Sequence, residues 1–75
     1  MIYVELKVFP SDLYFDMSIN EESTVENMLE ELIYYTGIDM KFAILFSVRK
    51  ERRLRRELTL LSQGVRGGDT LILVV

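Results

Sequence analysis

The sequence predicts an α+β fold, a mixed sheet of four to five strands packed on one helix. Three observations carry that expectation. Two stretches near the N-terminus alternate apolar and polar residues, one later stretch repeats apolar residues at helical spacing, and apolar strand-like runs return at 41–48 and 70–75. The element order is therefore β-β-α-β-(β)-β. Its first and last strands are expected to pair in parallel at the centre of the sheet.

Each element follows from its residues. In "IYVELKVF" (2–9), Ile2, Val4, Leu6 and Val8 face one way, and Tyr3, Glu5, Lys7 and Phe9 the other. That is a half-buried strand. Pro10-Ser11-Asp12 supplies a turn, and "LYFDMSI" (13–19) alternates again, with Leu13, Phe15, Met17 and Ile19 apolar. The two runs make a hairpin. At "STVE" the period changes: Ser23 is the expected N-cap, with Glu26 three residues on as its capping-box partner. Val25, Met28, Leu29, Leu32 and Ile33 form the apolar stripe, and Gly37 ends the helix. "KFAILFSV" (41–48) is a strand apolar on both faces, and 49–57 a basic loop with a short strand around Leu54. "LTLLSQGV" is a tight helical turn with Leu61 and Val65 inward. The last strand, Thr70–Val75, turns Leu71, Leu73 and Val75 to one face and Ile72 and Val74 to the other.

Composition narrows the function. Seventy-five residues make one domain, 1–75, near the lower size at which a core holds without staples, and 49% hydrophobic residues suit that need. With no cysteine there is no disulfide and no thiolate metal site. With no histidine, the commonest general base near neutral pH is missing. Ser, Asp and Glu occur throughout, yet no nucleophile has a base to activate it, so catalysis is not expected. Met1 is followed by no basic leader, and no apolar run reaches membrane-spanning length. A cytoplasmic protein without cofactor, metal or membrane insertion is expected.

The net charge of −3 conceals an asymmetry. Residues 1–48 set Lys7 and Lys41 against nine acids, whereas "RKERRLRR" (49–56) holds six bases and Glu51. Arg49, Arg52, Arg53, Arg55 and Arg56 are thus candidates for docking an acidic protein surface. A solvated loop explains the same run without a partner. Nucleic acid is disfavoured, because 47–69 has no aromatic for base stacking and the rest of the chain is acidic.

The stretches "ESTVENMLEEL…TGID" and "TLLSQGV…DTLILVV", in this order, resemble the ubiquitin family, the β-grasp roll. The pattern Gly64-Val65-x-x-Gly68-Asp69-x-Leu71-x-Leu73 is similar to the YukD-like accessory proteins of type VII secretion systems. That resemblance implies a non-conjugated adaptor whose protein partner is a component of the secretion machinery. The basic run departs from the family pattern. On such a sheet the face away from the helix is expected to show Leu45, Ile72 and Val74, and contiguous exposed apolar area marks an interaction site. Tyr34 and Tyr35 beside Glu30 and Glu31 form a second surface or simply cap the core rim.

Gly67-Gly68 raises the rival reading, a covalent modifier or a sulfur carrier of the ThiS and MoaD type. Those proteins end in a flexible Gly-Gly tail. Here Asp69–Val75 follow with the alternation of a central strand, so the glycines read as a turn. A β-grasp subunit of a multicomponent oxygenase is the third possibility. The expected function is protein binding through Leu45, Ile72 and Val74 and the arginines of 49–56.

Overall fold

A computed structural model describes residues 1–75 of the chain. The elements are β1 (Ile2–Phe9), β2 (Tyr14–Ile19), α1 (Val25–Thr36), β3 (Ile44–Ser47), β4 (Arg52–Arg53), a 3₁₀ turn (Leu61–Gln63) and β5 (Thr70–Val74). The sheet runs β2-β1-β5-β3-β4. β1 and β5 are the parallel pair, while β2 on β1, β3 on β5 and β4 on β3 are antiparallel. This is the mixed sheet on one helix that the sequence predicts.

The inward residues of β1 are Val4, Leu6 and Val8, which share one buried cluster with Leu45, Leu71 and Leu73 from β3 and β5 and with Val25, Met28, Leu29 and Leu32 of α1. That cluster holds 16 residues, which is how so short a chain forms a closed core with no disulfide. Ile33 does not join it and is 43% exposed. At about 100° per residue it lies roughly 90° from the centre of the stripe formed by Val25, Met28, Leu29 and Leu32.

The helix start differs from the expected capping box. Thr24, not Ser23, is the N-cap, and its hydroxyl accepts from the Asn27 N–H at 3.2 Å. Ser23 is engaged elsewhere: its N–H donates to the Asn20 carbonyl and its carbonyl accepts from the Leu60 N–H. The other amides of the first turn find partners too. Val25 and Glu26 donate to the carbonyls of Leu58 and Arg56, and Met28 donates to that of Thr24. The helix therefore begins where a distant loop supplies its acceptors. It ends at Gly37, whose φ of 68° lies in the left-handed region and whose N–H donates to the Ile33 carbonyl at 2.8 Å.

Two further boundaries are corrected. β3 starts at Ile44 rather than 41, because Asp39 Oδ1 accepts from the Lys41 N–H and the Met40 carbonyl from the Ala43 N–H, closing a turn. In the 3₁₀ turn Val65 is buried as expected, but Leu61 is 45% exposed and Leu60 takes the inward place. No helix is long and apolar enough to cross a membrane.

Candidate protein-binding surface

Register decides which side chains reach the outer face, the face of the sheet away from α1. Leu45 stands opposite Leu73, and Leu73 opposite Val8, all on the core side. Leu45 is 1% exposed. It therefore lies in the core and not beside Ile72 and Val74, which corrects the sequence expectation. The reason is physical: "AILF" is apolar at every position, so its alternation carries no sign of which parity faces inward, and a one-residue slip exchanges the faces.

The residues that do share the outer face are Ile44 and Phe46. Ile44 pairs with Val74, which pairs with Phe9; Phe46 pairs with Ile72, which pairs with Lys7. Phe9 and Val74 are 49% and 45% exposed, while Ile44, Phe46 and Ile72 are half-buried. The result is an apolar patch across β1, β5 and β3. Its rim is cationic on two sides, with Lys7 at one end and Arg53, directly opposite Phe46 on β4, at the other. Lys7 Nζ also sits 5.6 Å from the centre of the Tyr14 ring.

The five arginines divide by role. Arg56 is not a free cation. Its Nε donates to Glu26 Oε2 at 2.7 Å, and its guanidinium donates to the carbonyls of Met40, Lys41 and Ala43 at 3.0 Å each. A planar fork with several donors suits this task, gathering the turn after α1 onto the helix. Arg52 donates to the Gln63 carbonyl at 3.2 Å, and Arg55 pairs with Glu57 at 2.7 Å on an exposed surface. Arg49 and Arg53 make no side-chain ion pair. Only Arg55 and Arg56 are paired with carboxylates, so Arg49, Lys50, Arg52 and Arg53 are the unneutralised charges of the strip.

Two buried polar residues escaped the sequence reading. Gln63 accepts from the Arg55 N–H at 2.6 Å and donates to the Arg55 and Thr59 carbonyls, bracing the loop that caps α1. Asp69 accepts from Ser47 Oγ at 2.6 Å and from the Arg49 N–H at 3.1 Å. Its neighbour Gly68 has a φ of 88°. The Gly67-Gly68-Asp69 stretch is therefore a turn whose last residue anchors the base of the basic loop. A glycine at 68 meets the backbone requirement, and the buried aspartate explains the rest. Only the Gly-Gly-Asp turn signal pointed here; nothing local in the sequence pointed to Gln63.

No protein-family model and no curated protein matches the chain. Solved structures do. The ubiquitin-like domain of Plasmodium falciparum Dsk2 superposes with a TM-score of 0.82 at 23% identity, over 97% of this chain and 95% of that one. The ubiquitin-like domain of an Arabidopsis thaliana protein gives 0.80 at 15% identity, over 96% of this chain and 73% of that one. ATBAG1, solved in complex with HSP70, gives 0.79 at 20% identity; this chain is covered to 97% but spans only 39% of the ATBAG1 chain. Likeness at such identities establishes a fold, the ubiquitin-like β-grasp.

Proposed function

We propose that residues 1–75, with their ubiquitin-like β-grasp fold, act as one non-catalytic module that binds other proteins through the outer face of the sheet. The observation that carries this reading is the uncovered apolar patch of Phe9, Ile44, Phe46, Ile72 and Val74 on three adjacent strands. Lys7 and Arg53 at its ends favour a partner with an apolar centre and an acidic rim. Arg49, Arg52 and Arg55 extend the cationic side. Arg56 is committed to the fold.

Binding without conjugation is supported by where Gly67-Gly68 lies. The two glycines precede β5, whose Leu71 and Leu73 are wholly buried, and Asp69 is tied to Ser47. They are thus held inside the roll, not at a free end. The absence of histidine and cysteine from the sequence supports the non-catalytic part of the reading, since no side-chain nucleophile has the usual base to activate it. The likeness of Gly64, Val65, Gly68, Asp69, Leu71 and Leu73 to the YukD-like pattern supports a cytosolic role with a type VII secretion component.

The test is crosslinking in the source cells with wild-type protein and the Phe46→Arg/Ile72→Arg double variant. Partners captured by the wild type and lost by a folded variant support the surface. If every partner is retained, the outer face is not the binding site. Identification of the captured proteins then decides whether they belong to a secretion machine. Intact-mass measurement of the protein recovered from the same cells shows an adduct if it is a modifier.

A further inference from the structure

Charge is polarised from one edge of the sheet to the other. The β3–β4 loop and β4 carry Arg49, Lys50, Arg52 and Arg53, all exposed and none paired with a carboxylate. Arg66 joins them: its carbonyl accepts from the Asp69 N–H, and the Asp69 carboxylate holds the Arg49 N–H at the base of that loop. Against these five cations stand Glu51 and Asp69, which leaves a formal charge of +3 on a chain whose net charge is −3. The other edge is acidic. Asp16 on β2 shares a groove with Glu31 of α1, and β1, β5 and β3 separate β2 from β4. At about 4.8 Å per strand the two edges lie about 19 Å apart. That is more than two Debye lengths of roughly 8 Å at physiological salt.

The cations do not converge on one face. Ser47 stands opposite Arg52 and Phe46 opposite Arg53, so Arg52 turns to the helix side of the sheet and Arg53 to the outer face. Arg52 reaches the Gln63 carbonyl at 3.2 Å, and Lys50 lies across Gly64, where a Cβ would collide with its stem. Both side chains thus run along residues 63–64. Val48, 43% exposed, stands next to Arg49 at the start of the turn. The depression lined by Arg53, Arg55, Arg56 and Glu57 offers only Leu54 as an apolar residue, and Leu54 is buried. No pocket here seats a partner's side chain. The edge is a rim of positive charge with one apolar residue in it. A protein surface must wrap round such a rim to meet both sides, whereas a layer of mobile anionic headgroups meets them as it is.

We propose that the β3–β4 edge rests peripherally on an anionic lipid bilayer, with Arg49, Lys50, Arg52, Arg53 and Arg66 towards the headgroups. Each cation at such a surface raises partition about fivefold, so the formal +3 of this end gives about a hundredfold preference over a neutral bilayer. Asp16 and Glu31 oppose binding only weakly, because the surface field fades within a Debye length and they lie beyond two. The negative net charge of the chain therefore fixes an orientation and does not forbid the contact. Val48 enters the headgroup layer. Arg55 and Arg56 add nothing, since Glu57 and Glu26 neutralise them. In this pose the outer face stands upright beside the bilayer and stays open to a protein. The proposal does not rest on that face.

The test is co-flotation of the protein with lipid vesicles. With about 30% phosphatidylserine in phosphatidylcholine at about 0.1 M salt, saturable partition is expected, about a hundredfold above that onto phosphatidylcholine alone. At about 1 M salt it falls to the phosphatidylcholine level. The Arg49→Glu/Lys50→Glu/Arg52→Glu variant, its fold checked by circular dichroism, is expected to stay off the vesicles. Arg49→Gln/Lys50→Gln, which removes no side-chain hydrogen bond, is expected to lose about 25-fold. Arg49→Lys/Arg52→Lys/Arg53→Lys is expected to bind within about twofold of the wild type, because a diffuse surface reads charge and not the guanidinium fork. Phe46→Arg does not weaken binding. Partition onto both vesicles alike, partition onto neither, no loss in the glutamate and glutamine variants, or loss in the lysine variant overturns the proposal. So does saturable binding to soluble polyglutamate with none to vesicles, which assigns the edge to an acidic protein.

Discussion

Ser47 donates its hydroxyl proton to Asp69 across 2.6 Å, and both residues are sealed from solvent. Ser47 Oγ also accepts from the Lys50 N–H at 3.2 Å, so the pair holds the β3–β4 loop from beneath. Asp69→Ala strips an acceptor from two buried or half-buried donors and is expected to cost about 2–3 kcal/mol. Chemical denaturation measures it. Asp69→Asn, which keeps one acceptor oxygen, is expected to lose less.

Arg56 and Arg53 are neighbours in charge but opposites in role. Arg56→Ala releases Glu26 and three carbonyls at once, for an expected loss of about 2 kcal/mol. Arg56→Lys recovers only part of it, since an ammonium cannot span the same acceptors. Arg53→Ala is expected to leave stability within about 0.5 kcal/mol while weakening the partner. Thermal melts of the three variants separate the roles.

Leu45 and Phe46 give the sharpest contrast on the sheet. Leu45→Ala opens a cavity beside Leu73 and Val8 and is expected to cost about 2–5 kcal/mol. Phe46→Arg is expected to fold and lose partner binding. Circular dichroism alongside a binding assay checks both.

Glu21 accepts from the Met1 ammonium at 3.0 Å, and that hydrogen bond holds its carboxyl below the usual carboxylate range. A carboxylate depressed in the folded state stabilises it above the unfolded pKa, and the benefit disappears as pH falls through the folded value. Acetylating the Met1 amine is expected to return the Glu21 titration to the ordinary range and to flatten stability against pH in that acidic window. Carboxyl-resolved NMR titration reads the effect directly.

How much was legible depended on polar markers. β1 could be oriented from sequence because Glu5 and Lys7 flag its outer side. β3 could not, because Ala43, Ile44, Leu45 and Phe46 offer no such flag, and its parity is set only by pairing with β5. The helix was clear from its stripe, but its first residue was misplaced. Thr24 and Ser23 are equal as caps on paper, and the loop carbonyls of Leu58 and Arg56 choose between them. Arg56 was hidden for a similar reason. Within a run of cations nothing local distinguishes the one that reaches Glu26, 30 positions away.

The parallel pairing of β1 with β5 has a consequence for how the protein is made. Thr70 Oγ1 donates to Glu5 across a sequence separation of 65, and every inward residue of β1 stays half-covered until Leu71 and Leu73 arrive. Without β5 the first hairpin and α1 have no central strand to close over, so pairing of this long range is expected to form late. The last strand in chain order lies between two earlier ones, β1 and β3. A premature stop or a proteolytic cut ahead of Thr70 does not trim an end; it takes out the middle of the sheet.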